Sequence, residues 1–186
     1  MLKRLTILGI DPGTVIMGYS VIGCQTGRVD VLEMGVLKLS RHKDHYERLQ
    51  SIYQKVTQLI DHFPLSDLAI ESPFQGKNIQ SMLKLGRAQG VAIVCAKQAG
   101  LQVTEYSPKK VKQAVTGNGN AGKQQVWLML QRQLQLPGQP EYYDATDALA
   151  VALCHYYNLQ QPLPDTGSTK KAWKQFLAQH PERVVN

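Results

Sequence analysis

The sequence lacks long apolar runs and is comparatively poor in negative charge. No hydrophobic stretch in the 186 residues approaches the roughly 20 that a bilayer-spanning helix needs. The apolar run at 5–10 is short, and Asp11 interrupts it before a signal-peptide cleavage site. We therefore expect neither a membrane segment nor a secretion signal.

Cysteine is scarce as well. Only three occur, widely separated and without a CxxC pair, at Cys24, Cys95 and Cys154. An odd, scattered set is typical of reduced thiols in a cytosolic protein, so we expect a cytoplasmic location. Hydrophobic residues make up 43% of the chain and charged residues 19%, as in a globular protein. We expect one domain over 1–158 and a polar, basic C-terminal tail over 159–186.

The excess of positive charge is concentrated in one segment. The formal net charge is +7, which favours a polyanionic partner. Between positions 84 and 123 the only acidic residue is Glu105, against seven basic ones: Lys84, Arg87, Lys97, Lys109, Lys110, Lys112 and Lys123. Such clustering suits a phosphate backbone, although a solvated helix face would have the same composition.

Hydrophobic periodicity predicts an α/β fold. The predicted strands are 5–10, 17–23, 29–38, 67–72 and 101–106, and the predicted helices are 46–63, 78–99, 108–115, 123–135 and 143–158. The first three strands follow one another closely and form an antiparallel meander, while the later ones are joined through helices. Ser107 and Pro108 are suited to begin a helix, and the glycine- and asparagine-rich stretch 116–123 predicts a mobile loop.

Two glycines lie on one face of the predicted second helix. Gly86 and Gly90 are four residues apart, and each costs about 1 kcal/mol of helix stability. We interpret them as a place where another backbone approaches the helix.

Four carboxylates are placed where chemistry is expected. Asp11 and Glu71 each end an apolar strand, and ligand sites in open α/β sheets lie at the carboxyl ends of strands. Asp144 and Asp147 are three residues apart and share one helix face. Converging carboxylates repel one another unless cations neutralise them, and all-oxygen ligands suit Mg²⁺ or Mn²⁺. Taken singly, Asp11 is equally consistent with a turn former, and Asp144 is better explained as a helix cap.

Five segments occur in an order and spacing that resemble one family. They are GIDPGT, AIESPF, LKLGRAQGVAIV, VKQAVTGNGNAGK and DATDALAVAL, and together they resemble RuvC, the bacterial crossover junction endodeoxyribonucleases. The likeness runs from about residue 5 to residue 157. It implies an RNase H-like fold, with a mixed sheet of three antiparallel strands and then parallel strands flanked by helices. It also implies a homodimer that binds four-way DNA junctions and makes paired symmetric nicks with Mg²⁺.

The resemblance also assigns roles to individual residues. The family's four metal-binding acidic positions fall on Asp11, Glu71, Asp144 and Asp147, with two ions expected per active site. Among the predicted DNA contacts, Phe74, Lys112 and Lys123 match positions of the family. Further contacts predicted without such a match are Lys77, Lys84, Arg87, Lys109 and Lys110. Phe74 is expected to stack on bases at the crossover, with a loop-anchoring role as the alternative. Gly86 and Gly90 become candidates for the dimer interface. The branch-migration proteins RuvA and RuvB are the implied partners.

Two other functions remain open at this point. The DPGT turn also resembles the phosphate loop of actin-like ATPases, although such enzymes need a second phosphate loop and normally a second domain. A non-catalytic nucleic-acid-binding module could use the same fold, but all four carboxylates argue against it.

Overall fold

The computed structural model describes residues 5–25, 27–73 and 78–160. Within these ranges the chain forms a mixed sheet with helices on both faces. The elements are β1 (Leu5–Asp11), β2 (Ile16–Gln25), β3 (Arg28–Lys38), α1 (His45–His62), β4 (Asp67–Glu71), α2 (Ile79–Gln98), β5 (Gln102–Tyr106), α3 (Pro108–Thr116), α4 (Lys123–Leu134) and α5 (Tyr143–Gln160). None of these helices combines the length and apolar character required to cross a membrane.

The strands are arranged in the order β3-β2-β1-β4-β5. β2 is antiparallel to both β1 and β3, whereas β4 is parallel to β1 and to β5. The predicted fold class is therefore confirmed. This topology makes β1, β3, β4 and β5 all end at the same edge of the sheet.

Each face of the sheet carries its own core. On one face α1 and α2 pack through residues such as Ile52, Val56 and Ala92. On the other face α3, α4 and α5 bury residues such as Val111, Val126 and Leu149. Alternating side chains of β1 serve both cores, since Ile7 lies in one and Leu8 in the other.

α5 lies very close to the sheet because glycines face it. A Cβ atom on Gly9 of β1 would overlap the carbonyl oxygen of Ala148, and one on Gly18 of β2 would overlap the carbonyl oxygen of Asp144. Any side chain at either position would push the helix away from the sheet. The two glycines therefore set the height of the first turns of α5 above β1 and β2.

Most predicted element boundaries agree with the structure to within one or two residues. Ser107 caps α3 as expected, because its side chain accepts a hydrogen bond from Lys110 N, with Pro108 at the first helical position. α5 continues to Gln160, so the first two residues of the predicted tail belong to the last helix. The rest of that tail lies outside the described residues.

Hydrogen bonds hold the first half of the loop at 116–123, for which mobility was predicted. The backbone N–H of Asn118 donates to Thr116 Oγ1 at 3.1 Å, and that of Gly119 donates to Gln113 Oε1 at 3.0 Å. Gly117 adopts a left-handed φ of 75° at the end of α3. The glycines and asparagines here form tight turns.

Candidate active site

Two carboxylates lie side by side at the ends of neighbouring parallel strands. Ile10 of β1 and Ile70 of β4 are register partners, so Asp11 and Glu71, each one residue further on, leave the sheet together. Both side chains are partly exposed at the rim, while the strands behind them are buried. The strands hold the two carboxylates in place at the cost of partial desolvation.

The first turns of α5 bring two more carboxylates to this edge. Asp147 lines the same cavity as Asp11 and Glu71, and the charge of Asp144 is near enough to act on Asp11. Lys123, the first residue of α4, places its Nζ 2.8 Å from Asp147 Oδ2. Hydrogen bonding to Asp147 is the main cause that raises the pKa of Lys123, so this amine is firmly cationic.

These groups line a cavity of about 210 Å³. Its walls combine charged and apolar side chains, and they comprise Asp11, Glu71, Pro108, Val111, Lys112, Lys123, Val126, Asp147 and Ala150. A cavity of this size at the rim of the sheet can admit a phosphate group together with bound ions.

The ionised carboxylates of the cavity repel one another and are partly desolvated. Burial raises the pKa of Asp11 to about 8, and the charges of Glu71, Asp147 and Asp144 add to that rise. Burial also raises the pKa of Glu71 to about 7, with Asp147 contributing and with Lys112 and Lys123 opposing the rise. The two strand-end carboxylates therefore bind protons near neutral pH, because their negative charges repel each other and that of Asp147. Cations in the cavity would reduce this repulsion.

The residues present fit a hard divalent cation in chemistry but do not form a closed cage. All the acidic donors are oxygen ligands, which suit Mg²⁺ or Mn²⁺. Across the described ranges, no three Asp, Glu, His or Cys side chains are grouped closely enough to hold one ion as they stand. Lys123 already neutralises part of Asp147.

The predicted DNA contacts fall into three groups. Lys112 and Lys123 line the carboxylate cavity. Lys109 and Lys110 lie on α3 outside it, with Lys110 Nζ 5.1 Å from the centre of the Tyr106 ring. The remaining candidates are Lys84 and Arg87, which are exposed on α2, and Phe74 and Lys77, which lie outside the described residues.

Sequence reasoning missed the residue that fixes the turn after Asp11. Arg48 of α1 donates from Nη1 to the carbonyl oxygen of Thr14 at 2.8 Å and from Nε to that of His42 at 2.9 Å. It thereby joins the DPGT turn to the segment before α1. No local pattern identifies this arginine, because its two acceptors are backbone carbonyls, one of them 34 positions away.

The sequence matches the model of one protein family over residues 7–155, the crossover junction endodeoxyribonuclease RuvC. The chain belongs to the RuvC family. The RuvC of Christiangramia forsetii is 48% identical over 178 residues, covering 96% of this chain and 92% of that protein. The RuvC of Porphyromonas gingivalis is 47% identical over 186 residues, covering 98% of each chain.

A solved RuvC structure has the same fold. T. thermophilus RuvC, in complex with Holliday junction substrate, matches with a TM-score of 0.78 at 32% identity, over 84% of this chain and 95% of that one. The RNase H-like class expected from the sequence is thus confirmed, and the chain is an endodeoxyribonuclease of the RuvC family. This assignment decides against the actin-like ATPase and the non-catalytic module.

Proposed function

We propose that the protein resolves four-way DNA junctions in recombination and repair by making paired, symmetric nicks as a homodimer. The observation that supports this most strongly is the meeting of three carboxylates and two lysines in one cavity at the sheet edge, in a chain of the RuvC family. A single cavity accounts for one nick, and two opposed nicks require two such cavities related by symmetry.

Asp11, Glu71, Asp144 and Asp147 would hold the metal, which we propose to be two Mg²⁺ ions per active site, with Mn²⁺ as a substitute. Bound ions of this kind supply an activated water and stabilise the oxygen that leaves the phosphodiester. The rigid strand behind each of Asp11 and Glu71 keeps the donors in place. The turn that follows Asp11 is fixed in addition by Arg48.

The lysines of the cavity bind and orient the phosphate. Lys112 of α3 and Lys123 of α4 line the same cavity as the carboxylates of β1 and β4. Their charges lower the pKa of Glu71, against the effect of burial, so they also favour its ionised form. Further contacts to the DNA backbone are proposed for Lys77, Lys84, Arg87, Lys109 and Lys110.

The proposed homodimer would use the outer face of α2. Ile79, Leu83 and Val94 are 71%, 52% and 62% exposed and, at helical spacing, share a face with Gly86 and Gly90. Nothing lies within 4 Å of a Cβ built on either glycine, so neither packs on the described part of its own chain. An apolar stripe with a small-residue centre suits close approach of the same helix from a second copy.

The cellular setting is proposed from the resemblance. RuvA and RuvB would be the partner proteins that deliver the junction, and the protein would act in the cytoplasm, where chromosomal DNA is found in bacteria.

The direct test is cleavage of a synthetic four-way junction in Mg²⁺. We expect two nicks at symmetric positions on opposed strands, no cutting of a linear duplex of the same sequence, and no cutting in EDTA. Asp11→Asn and Glu71→Gln should retain binding and lose cleavage, while Asp61→Asn, which changes an exposed carboxylate of α1 outside the cavity, should cut normally. Near-normal cutting by Asp11→Asn would refute the metal assignment.

A further inference from the structure

Three buried polar side chains meet between α5 and the sheet, outside the carboxylate cavity. Tyr106 Oη lies 2.8 Å from His155 Nδ1, and His155 Nε2 lies 3.3 Å from Asp67 Oδ1. Tyr106 is 4% exposed, His155 3% and Asp67 8%, and none of them lines the cavity. Because apolar side chains would fill the same space at lower cost, the network indicates that directional contacts are needed here.

The direction of these contacts follows from the tyrosine. Burial raises the pKa of Tyr106 to about 12, so the hydroxyl keeps its proton and donates to His155 Nδ1. The ring proton is then on Nε2 and faces Asp67. Among the described residues Nε2 has no aligned hydrogen-bond acceptor, so its link to Asp67 is a short electrostatic contact. The imidazole of α5 thus joins the end of β5 to the start of β4.

The tyrosine end of this network adjoins the strand end that carries Glu71. Tyr106 and Glu71 are register partners, and the carbonyl oxygen of Tyr106 accepts a hydrogen bond from the N–H of Ser72 at 2.8 Å. The two residues after Tyr106 cap and begin α3, and Pro108 and Lys112 of this helix line the cavity. A displacement of Tyr106 would therefore move both Glu71 and Lys112.

The histidine end belongs to the helix that carries the other two carboxylates. His155 lies about 12 Å along α5 from Asp147, at 1.5 Å per residue. Near the start of α5, Gly9 and Gly18 allow the helix to approach β1 and β2. These glycines have no side chains that could hold the helix against β4 and β5. The hydrogen bond from Tyr106 supplies a directional contact on that side.

We propose that His155 is a positioning residue for DNA cleavage, because it fixes α5 relative to β4 and β5 through Asp67 and Tyr106. It thereby sets the distance between Asp147 on the helix and Glu71 on the strand. His155 contacts neither the DNA nor the metal, and it acts only through the elements that it joins. This inference rests on the proposed junction cleavage and adds to it the residue that holds the carboxylates of α5 and of the sheet at a fixed distance.

The test compares two variants that each remove one buried hydroxyl. Tyr106→Phe removes the donor to His155, whereas the control Tyr156→Phe removes a hydroxyl that donates to Gln25 O at 3.3 Å, at the opposite edge of the sheet. The two tyrosines are 4% and 6% exposed, so we expect similar losses of stability. In single-turnover cleavage with saturating Mg²⁺, Tyr106→Phe should be about tenfold slower, because a misplacement of about 1 Å can cost about a hundredfold. Its affinity for the junction without Mg²⁺ should be unchanged, and Tyr156→Phe should cut as wild type.

Two further measurements separate positioning from a loss of stability. Asp67→Asn keeps an oxygen that can accept from His155 Nε2–H and should cut nearly as wild type, whereas Asp67→Ala should be as slow as Tyr106→Phe. The rise in melting temperature that Mg²⁺ causes should be smaller in Tyr106→Phe than in Tyr156→Phe. This rise reports metal affinity, which depends on the spacing of the carboxylates, and it requires no cleavage.

The outcomes distinguish this inference from the proposed function. If the wild type cuts junctions and Tyr106→Phe cuts as fast as Tyr156→Phe, His155 serves only the core and the inference is overturned. If the wild type cuts no junction, the proposed function fails, and equal effects of Mg²⁺ on the melting temperatures of the two variants overturn the inference separately. If Tyr106→Phe does not fold, the Asp67 variants decide, since equal cleavage rates and equal effects of Mg²⁺ in Asp67→Asn and Asp67→Ala would contradict a positioning role.

Discussion

Replacing Asp11 with asparagine should stabilise the protein when no divalent cation is present. Asp11 is desolvated and faces three other carboxylates, which raises its pKa from 3.8 to about 8. Asparagine keeps the shape of the side chain and removes the charge. The same substitution that abolishes catalysis is therefore expected to raise the melting temperature.

The size of the effect follows from the pKa. A shift of about four units at about 1.4 kcal/mol each sets an upper limit of about 5–6 kcal/mol above pH 8. The pKa of about 8 already includes the lowering effect of the Lys123 amine. Rotation of the carboxylate toward solvent reduces the limit further, so we expect about 1–3 kcal/mol. For a chain of this length each kcal/mol moves the melting temperature by about 2–4 °C.

The pH dependence has a definite sign. The folded protein holds the Asp11 proton more tightly than the unfolded chain, so the stability that this group contributes is fully present below about pH 4 and is lost as the pH rises through about 8. The advantage of Asp11→Asn should therefore be small at pH 5 and grow toward pH 8.

Thermal unfolding in EDTA, followed by circular dichroism or calorimetry, measures this difference. Asp61→Asn, which removes an exposed carboxylate of α1, is the matched control and should change the melting temperature little. Saturating Mg²⁺ should stabilise the wild type, by about 2.7 kcal/mol at one hundred times the dissociation constant, and should stabilise Asp11→Asn less. An Asp11→Asn protein that melts at or below the wild-type temperature throughout pH 5–8 in EDTA would refute the account of the site as a strained carboxylate cluster.

Three further predictions concern binding, assembly and the crossover. Lys112→Ala should reduce the slope of log affinity against log salt concentration by about one, whereas Lys97→Ala, at the far end of α2, should leave the slope unchanged. If Lys112→Ala has the same slope as the wild type, Lys112 does not contact a phosphate. Gly90→Leu should shift the protein toward monomer in sedimentation experiments and uncouple the two nicks, whereas Gln124→Leu on α4 should not; a fully dimeric Gly90→Leu protein would place the interface elsewhere. Phe74→Ala should slow cleavage of an intact junction far more than it weakens binding, because a stacked base contributes about 1–3 kcal/mol. A junction already unpaired at the crossover should recover much of the lost rate, and absence of recovery would favour the loop-anchoring role.

The sequence was sufficient to place Asp11 and Glu71 at one edge, because each ends a short apolar strand and parallel strands share their carboxyl end. It was also sufficient to place Asp144 and Asp147 on one face of a helix, because they are three residues apart. What local patterns could not show is how near α5 comes to the sheet. That distance depends on Gly9 lying beneath a carbonyl of a helix about 140 positions away, a contact between distant segments that no window of sequence contains.

The same limit explains the other residues that were missed. Arg48 binds backbone carbonyls, which every residue possesses, so its partners leave no trace in side-chain composition. Tyr106 and His155 are 49 positions apart and meet only when α5 packs on the sheet. The hydrogen bonds of the loop at 116–123 escaped prediction for a different reason, since glycine and asparagine are common both in mobile loops and in hydrogen-bonded turns.

The direction of the helices has its own electrostatic consequence. α1, α3, α4 and α5 all begin near the carboxylate edge, as shown by Arg48 bound to Thr14 O, Lys112 in the cavity wall, and Lys123 beside Asp147. Each helix start carries a partial positive charge of about half a unit from its aligned peptide dipoles. These charges belong to the backbone, so no side-chain substitution removes them. A variant in which both Lys112 and Lys123 are replaced by alanine should therefore retain some affinity for DNA phosphates at this edge, because the helix dipoles remain.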